Sequence, residues 1–275
     1  MTGAGMYHLF SADGEAALAV TLRQRPLLAF DFDGTLAPIV PRPQDARPSH
    51  AVSARLATLA TLLPMAIVTG RMVDDVRGRL GFEPQFIVGN HGAEDEGVVP
   101  DAAGLAALTA LRARFAAAQA ALLDAGVLVE DKGASLALHY RLSRTRERAL
   151  EVIAELLSPP DPALRVFGGK LVINVALRQA PDKAQAVRSL MQRAGTSAVI
   201  FAGDDVNDEP VFNAAVPGWL TIRVGRDDPR SRAMFCLDSP GQMPLLLDRM
   251  LALLNAPPSP ATSGSAGAWQ PARRL

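Results

Sequence analysis

Residues 27–36 read LLAFDFDGTL, an apolar run that delivers Asp31 and Asp33 and then breaks on Gly34. Side chains two apart on a strand share a face. Two carboxylates on one face repel unless a cation or a proton stands between them. Such a pair can divide the labour of a phosphoryl transfer. Asp31 can attack phosphorus and ligate a hard cation, while Asp33 gives a proton to the leaving oxygen and takes one from water. Three further stretches carry matching chemistry. Thr69, in IVTGR, offers a hydroxyl and neighbouring backbone N–H groups to a phosphoryl oxygen, with Gly70 beside it and Arg71 available to a carboxylate or the substrate. Lys183 is a cation at an expected helix start, able to neutralise nucleophile and phosphate together. FAGDDVNDEPVF, residues 201–212, crowds Asp204, Asp205, Asp208 and Glu209 into one loop. Carboxylates that dense need a compensating cation, and oxygen ligands without a Cys or His pair favour Mg²⁺ over Zn²⁺. Asp204 is the leading metal ligand; Asp205 and Asp208 either reach the metal through water or hold Lys183.

The elements that must position these groups follow from the apolar runs. Strands are expected over 27–30, 65–68, 86–88 and 199–201, each ending in a polar, Gly-containing turn. Helices are expected from Ser49 to about Leu63 and over 73–80. That rhythm predicts an α/β fold with an open, Rossmann-like parallel sheet, whose chemistry lies beyond the carboxyl ends of its strands. The middle of the chain departs from it. A helix over 105–123, strands over 127–130 and 135–140 joined by Asp131-Lys132-Gly133, a helix over 145–157, and strands over 164–167 and 171–175 around Gly168-Gly169 describe an inserted α+β module. The expected organisation is a discontinuous core over 1–103 and 179–254 and an inserted cap over 104–178. A tail over 255–275, rich in Pro, Ala, Ser and Gly, has few groups to bury and is expected to be disordered.

Bulk properties exclude several classes. Lys plus Arg number 28 and Asp plus Glu number 28, so no net field draws the chain to nucleic acid or an anionic membrane. No stretch approaches the roughly 20 apolar residues that span a bilayer. A standard secretory signal is not expected at the N-terminus. The single cysteine, Cys236, rules out an internal disulfide framework and fits a reducing, cytoplasmic setting. Oligomeric state is not encoded legibly.

With these motifs in place, the sequence resembles the haloacid-dehalogenase-like phosphohydrolases, and within them the trehalose-6-phosphate phosphatases. DFDGTLAPI, TGR at 69–71, Lys183 and GDDVNDE at 203–209 match the superfamily's four motifs. GNHGAE at 89–94 and VEDKGASLALHYR at 129–141 resemble segments of the narrower family. The resemblance implies a Rossmann-like core with a mobile α+β cap of the C2 type, and Mg²⁺ held by Asp31, the backbone carbonyl of Asp33, and Asp204. It implies a small sugar phosphate as substrate, met by Asn90 and His91 in the core and by Glu130, Lys132, His139 and Arg141 in the cap. Asp205, Asn207 and Asp208 would support the metal loop. The expected reaction is hydrolysis of trehalose 6-phosphate through an aspartyl-phosphate. Alternatives are the same chemistry on sucrose 6-phosphate or mannosyl-3-phosphoglycerate, a phosphotransferase, and a non-enzymatic carbohydrate sensor on the same fold. The chain departs from the family at Asn174, where a Glu is usual, at Ala184, and at Asn207.

Overall fold

The computed structural model describes residues 6–256. The chain opens with β1 (Tyr7–His8) and α1 (Ala12–Arg23), then runs through β2 (Leu27–Phe30), α2 (His50–Leu62), β3 (Met65–Val68), α3 (Val73–Leu80) and β4 (Phe86–Val88). An inserted stretch follows: α4 (Ala102–Ala117), α5 (Gln119–Asp124), β5 (Leu128–Asp131), β6 (Ser135–His139), α6 (Arg146–Leu157), β7 (Leu164–Gly169) and β8 (Val172–Leu177). The alternation then resumes with α7 (Lys183–Arg193), β9 (Val199–Gly203), α8 (Glu209–Asn213), β10 (Trp219–Val224), β11 (Phe235–Leu237) and α9 (Met243–Asn255).

Seven strands form one parallel sheet in the order β1-β11-β10-β9-β2-β3-β4. β2 therefore lies between β9 and β3, with Phe30 in register with both Ala202 and Ile67. The short strands read as continuous apolar runs because both faces are covered. Leu28 and Phe30 enter one core with Leu56, Leu59, Leu246 and Met250, while Leu27 and Ala29 enter the other with Val187, Leu190 and Phe212. The inserted stretch makes a separate antiparallel sheet, β5-β6-β8-β7, over its own core of Leu108, Leu111, Phe115, Leu138, Val152 and Val175.

Local chemistry sets the helix starts. Ser49 Oγ accepts from the Val52 N–H at 3.2 Å, starting α2 one residue after the expected cap. Asp182 and Gln185 form a reciprocal capping box at the head of α7. Two expectations need correction. The helix expected over 105–123 begins at Ala102, because Asp101 caps it through Gly104, and it is divided at Ala118 into α4 and α5. An alanine-rich stretch carries no local signal for that break. The second cap hairpin does not turn at Gly168-Gly169, which lie in β7; the turn is Lys170-Leu171, with Leu171 at φ 61°. Gly169 is required for contact instead: a Cβ there would meet Val172, Asn207 and Asp205 at 2.9–3.1 Å. Most of the tail, 257–275, lies outside the described residues. Among the described residues, no helix is long and apolar enough to cross a membrane.

Candidate active site

Four adjacent strands, β9, β2, β3 and β4, deliver the motifs at their carboxyl ends. Asp31 follows β2, Thr69 follows β3, the 89–94 loop follows β4, and Asp204 follows β9. The Asp31 N–H donates to Ala202 O at 2.9 Å, so the first carboxylate is fixed against the strand that carries the fourth motif. Lys183, the first residue of α7, is buried and bridges the two: Nζ donates to Asp31 Oδ1 at 2.8 Å and to Asp208 Oδ1 at 2.7 Å. Asp208 Oδ2 accepts from the Asp205 N–H at 2.9 Å. Both Asp208 oxygens are thus committed to holding the loop and the lysine.

Carboxylate oxygens of Asp31, Asp204 and Asp208 lie within 4.8 Å of one another. Burial pushes the Asp31 carboxyl well above its ordinary range, Lys183 opposes this, and the Asp208 and Asp204 charges push it further up. Burial also raises Asp204, to about 7, against the pull of Lys170. The Lys183 ammonium is lowered by burial, but Asp208 and Asp31 more than offset that and hold it above its usual range. Asp204 Oδ1 is buried without a hydrogen-bond partner. The approach is tight by design of the backbone: Gly34 stands at φ 80°, and a Cβ there would lie 2.1 Å from Asp204 Oδ2. An orphaned buried carboxylate oxygen among crowded acids, with no His or Cys, fits Mg²⁺.

Arg71 is paired with Asp33. Its Nε and Nη2 each donate to one Asp33 oxygen at 2.7 Å, and its Nη1 donates to Asp75 Oδ2 at 2.8 Å. Burial pulls the Arg71 guanidinium down, but the Asp33 and Asp75 carboxylates hold it above its ordinary value. Thr69 is buried, and its Oγ1 accepts from the Arg71 N–H at 3.2 Å. His91, at φ 59°, packs its ring against Gly70, where a Cβ would lie 2.3 Å from Cε1. Burial, then Lys183, Lys132 and Arg165, drive its pKa well below 6.5, so His91 stands as neutral imidazole at pH 7.

A cleft of about 230 Å³ opens above this floor, with the inserted module as its roof. Glu130, Lys132, His139 and Arg141 all line it. His139 Nε2 lies 2.8 Å from Glu130 Oε2. Burial would raise the Glu130 carboxyl, but His139 and Lys132 hold it below its ordinary value. Lys132 Nζ donates to Gly70 O at 2.8 Å and Arg141 Nη1 donates to Val40 O at 3.0 Å, tying roof to floor. Asp31, Asp33, Gly70, Arg71, His91, Lys183, Asp204, Asp205 and Asn207 line the same cleft. Thr69, Asn90 and Asp208 lie behind it. Asn90, expected against the substrate, instead turns its amide toward the inserted module.

Two polar lining residues lay outside the expected site. Lys170 reaches down from the hairpin tip, and its Nζ donates to Asp204 Oδ2 at 2.5 Å. Lys170 follows the two glycines expected to make the turn; that it sits in the turn itself and reaches Asp204 is set by the tertiary structure. Asn174 is buried, and its Nδ2 has no partner. An amide on an alternating strand is visible in sequence, but its direction is not.

Residues 29–225 match the family model described as trehalose-phosphatase. The chain is 34% identical over 247 residues to a trehalose-phosphate phosphatase of Mycobacterium marinum, covering 84% of this chain. It is 35% identical over 246 residues to one of Mycobacterium avium, covering 82%. The matches span 63% and 62% of those relatives' own lengths. The fold superposes on the C-terminal domain of a C. albicans trehalose-6-phosphate phosphatase with a TM-score of 0.73 at 21% identity, covering 92% of this chain and 99% of that one. An Aspergillus fumigatus trehalose-6-phosphate phosphatase gives 0.60 at 25% identity, covering 91% and 99%.

Proposed function

This chain belongs to the trehalose-phosphatase family, and on that premise we propose that it hydrolyses trehalose 6-phosphate to trehalose and phosphate with Mg²⁺. The observation that carries the reading is the convergence of Asp31, Asp204 and Lys183 at the floor of a cleft roofed by Glu130, Lys132, His139 and Arg141. Asp31 and Asp204, with the backbone carbonyl of Asp33, would hold the metal. When bound, Mg²⁺ supplies positive charge that offsets the phosphate's repulsion of a carboxylate nucleophile.

The remaining work falls to the chain's own groups. Asp31 attacks phosphorus in line, forming the aspartyl-phosphate as the bond to the sugar oxygen breaks. Lys183 stays bonded to Asp31 and balances its charge beside the phosphate, while Thr69, behind the cleft wall, holds the 69–71 loop by accepting from the Arg71 N–H. Asp33 passes a proton to the sugar oxygen, then draws one from the water that splits the aspartyl-phosphate. Both Asp33 oxygens are held by Arg71, so a proton moves at Asp33 after one of those bonds is exchanged. Arg71 therefore acts on the acid/base group. Asp205 and Asn207 brace the metal loop, with Asn207 Nδ2 donating to Asp205 Oδ2 at 3.1 Å.

In the same reading, 104–178 is the cap and 1–103 with 179–254 the core. Glu130 and His139 hydrogen-bond sugar hydroxyls, and the closed roof excludes bulk water. A cytoplasmic setting belongs to the proposal, supported by the buried thiol of Cys236. Asn174 supports a second reading, a related disaccharide phosphate, because its amide offers the cleft a donor where the family's Glu offers none. Phosphate release with Mg²⁺ across trehalose 6-phosphate, sucrose 6-phosphate, mannosyl-3-phosphoglycerate and glucose 6-phosphate tests both. Preference for trehalose 6-phosphate is expected. Preference for another ester selects the second reading, and inertness toward all of them ends both.

A further inference from the structure

Asn90 is 1% exposed and takes no part in the cleft wall. It stands at φ 49°, followed by His91 at φ 59°. Two successive non-glycine residues in the left-handed region are a costly backbone, kept where the surroundings enforce it. Here the enforcing bonds are visible. The Asn90 N–H donates to Arg71 O at 2.8 Å and the His91 N–H donates to Thr69 O at 2.9 Å, which lashes this loop to the 69–71 loop. The resulting bend carries the Asn90 amide out of the cleft and into the seam beneath the β5–β6 turn.

In that seam every polar atom of the amide is used. Oδ1 accepts from Ser135 Oγ at 2.6 Å, while Nδ2 donates to Lys132 O at 3.2 Å and to Glu94 Oε2 at 2.7 Å. Ser135 is 2% exposed, so a lost partner here is not replaced freely by water. The task needs one short side chain that accepts and donates at once, which an amide does and a carboxylate does not. The turn answers in kind through the bond from Lys132 Nζ to Gly70 O. Glu130, in β5, lies two residues before Lys132, which follows that strand, and is bonded to His139. The seat of this turn therefore sets where Glu130 meets a ligand.

We propose that Asn90 is a positioning residue that seats the inserted module on the core and so fixes Glu130 and His139 over the cleft; this rests on the phosphate-ester reading of the cleft, not on which sugar the ester carries. The test compares wild type, Ser135→Ala, Asn90→Ala and the double variant. The readouts are kcat and KM for trehalose 6-phosphate and for p-nitrophenyl phosphate, thermal melts, and amide hydrogen exchange over 130–135. Ser135→Ala is expected to raise KM for the sugar ester about fivefold while leaving the aryl ester unchanged, since one buried bond is lost from the roof. Asn90→Ala is expected to lower kcat/KM for the sugar ester about tenfold more than for the aryl ester, with the double variant no worse in that ratio because the two residues share one bond. Exchange over 130–135 is expected to quicken in both single variants. Equal losses on both esters, additive losses in the double variant, or unchanged exchange in a folded variant would overturn the proposal. Should Asn90→Ala fail to fold, Ser135→Ala decides by the same criteria. Hydrogen exchange needs no substrate, so failure of trehalose 6-phosphate as substrate is distinguished from failure of the seating role; the kinetic comparison then uses whichever sugar phosphate is turned over.

Discussion

The floor and the roof of the cleft are built on opposite principles. Floor charges spend their bonds on one another: buried Lys183 holds buried Asp31 and Asp208, and half-buried Arg71 holds Asp33 and Asp75. Asp31, Asp33 and Arg71 follow adjacent strands of one parallel sheet, and Lys183, Asp208 and Asp75 come from the helices and turns beside them. Roof groups are long side chains on an antiparallel sheet whose β5 strand is exposed throughout. Lys132 and Arg141 reach the core through backbone oxygens, those of Gly70 and Val40, while Lys170 at the hairpin tip meets the Asp204 carboxylate. A carboxylate cluster needs rigid, mutually satisfied partners to face a phosphate without collapsing. A surface that must part from the floor to admit a ligand gains from bonds to backbone carbonyls, which can be broken and remade without stranding a buried charge.

The sharpest break in that contrast is at the nucleophile. Asp31→Asn is expected to cost about 10⁴-fold or more in phosphate release toward every ester while leaving the fold intact, as removal of other covalent nucleophiles does; a sugar-independent assay with a melt alongside checks it. Residual turnover near wild type would remove Asp31 from its role. Lys183→Ala comes next. It is expected to lower kcat about a hundred- to thousandfold and, by leaving Asp31 and Asp208 buried without their cation, to destabilise the fold by about 3–5 kcal/mol. Denaturant melts read the second effect.

Gly34→Ala tests the floor's geometry rather than its charge. A Cβ 2.1 Å from Asp204 at φ 80° must displace that carboxylate. The Mg²⁺ concentration for half-maximal activity is expected to rise about tenfold or more, as for other disturbed ligand settings. Glu130→Gln probes the roof. KM for the sugar phosphate is expected to rise about tenfold through one weakened charged hydrogen bond, with p-nitrophenyl phosphate unaffected; equal effects on both would erase the distinction between floor and roof.

The smallest expected effect is on pH-dependent stability. Glu130 is held below its ordinary 4.5 by His139 and Lys132, against burial. A depressed folded pKa gives stability present above the unfolded value and lost as pH falls through the folded one. The melting temperature of wild type should exceed that of Glu130→Gln above pH 4.5, and the gap should close on acidification below it. A gap independent of pH would mean the pair contributes nothing.

Legibility follows the same division. Asp31, Thr69 and Asp204 were readable because each sits where a short apolar run ends, and strand ends of a parallel sheet share one edge; Lys183 was readable as a helix-start cation and by family resemblance. Asn90 was readable as a site-loop residue, yet its direction was not, because two left-handed residues reverse it. Lys170 was visible beside Gly169 but its reach to Asp204 was not, because the turn lies two residues later than its glycines suggest. The division of α4 from α5 left no mark in a run of alanines.

The order of residues determined that carboxylates and a lysine would gather where a cation fits, since periodicity places strand ends and charge density then demands a cation. Whether Arg71 serves substrate or Asp33, and whether Asn90 faces cleft or seam, was decided by packing between segments far apart in the chain. Those choices depend on backbone direction and on which donor reaches an acceptor first, neither of which a one-dimensional string records.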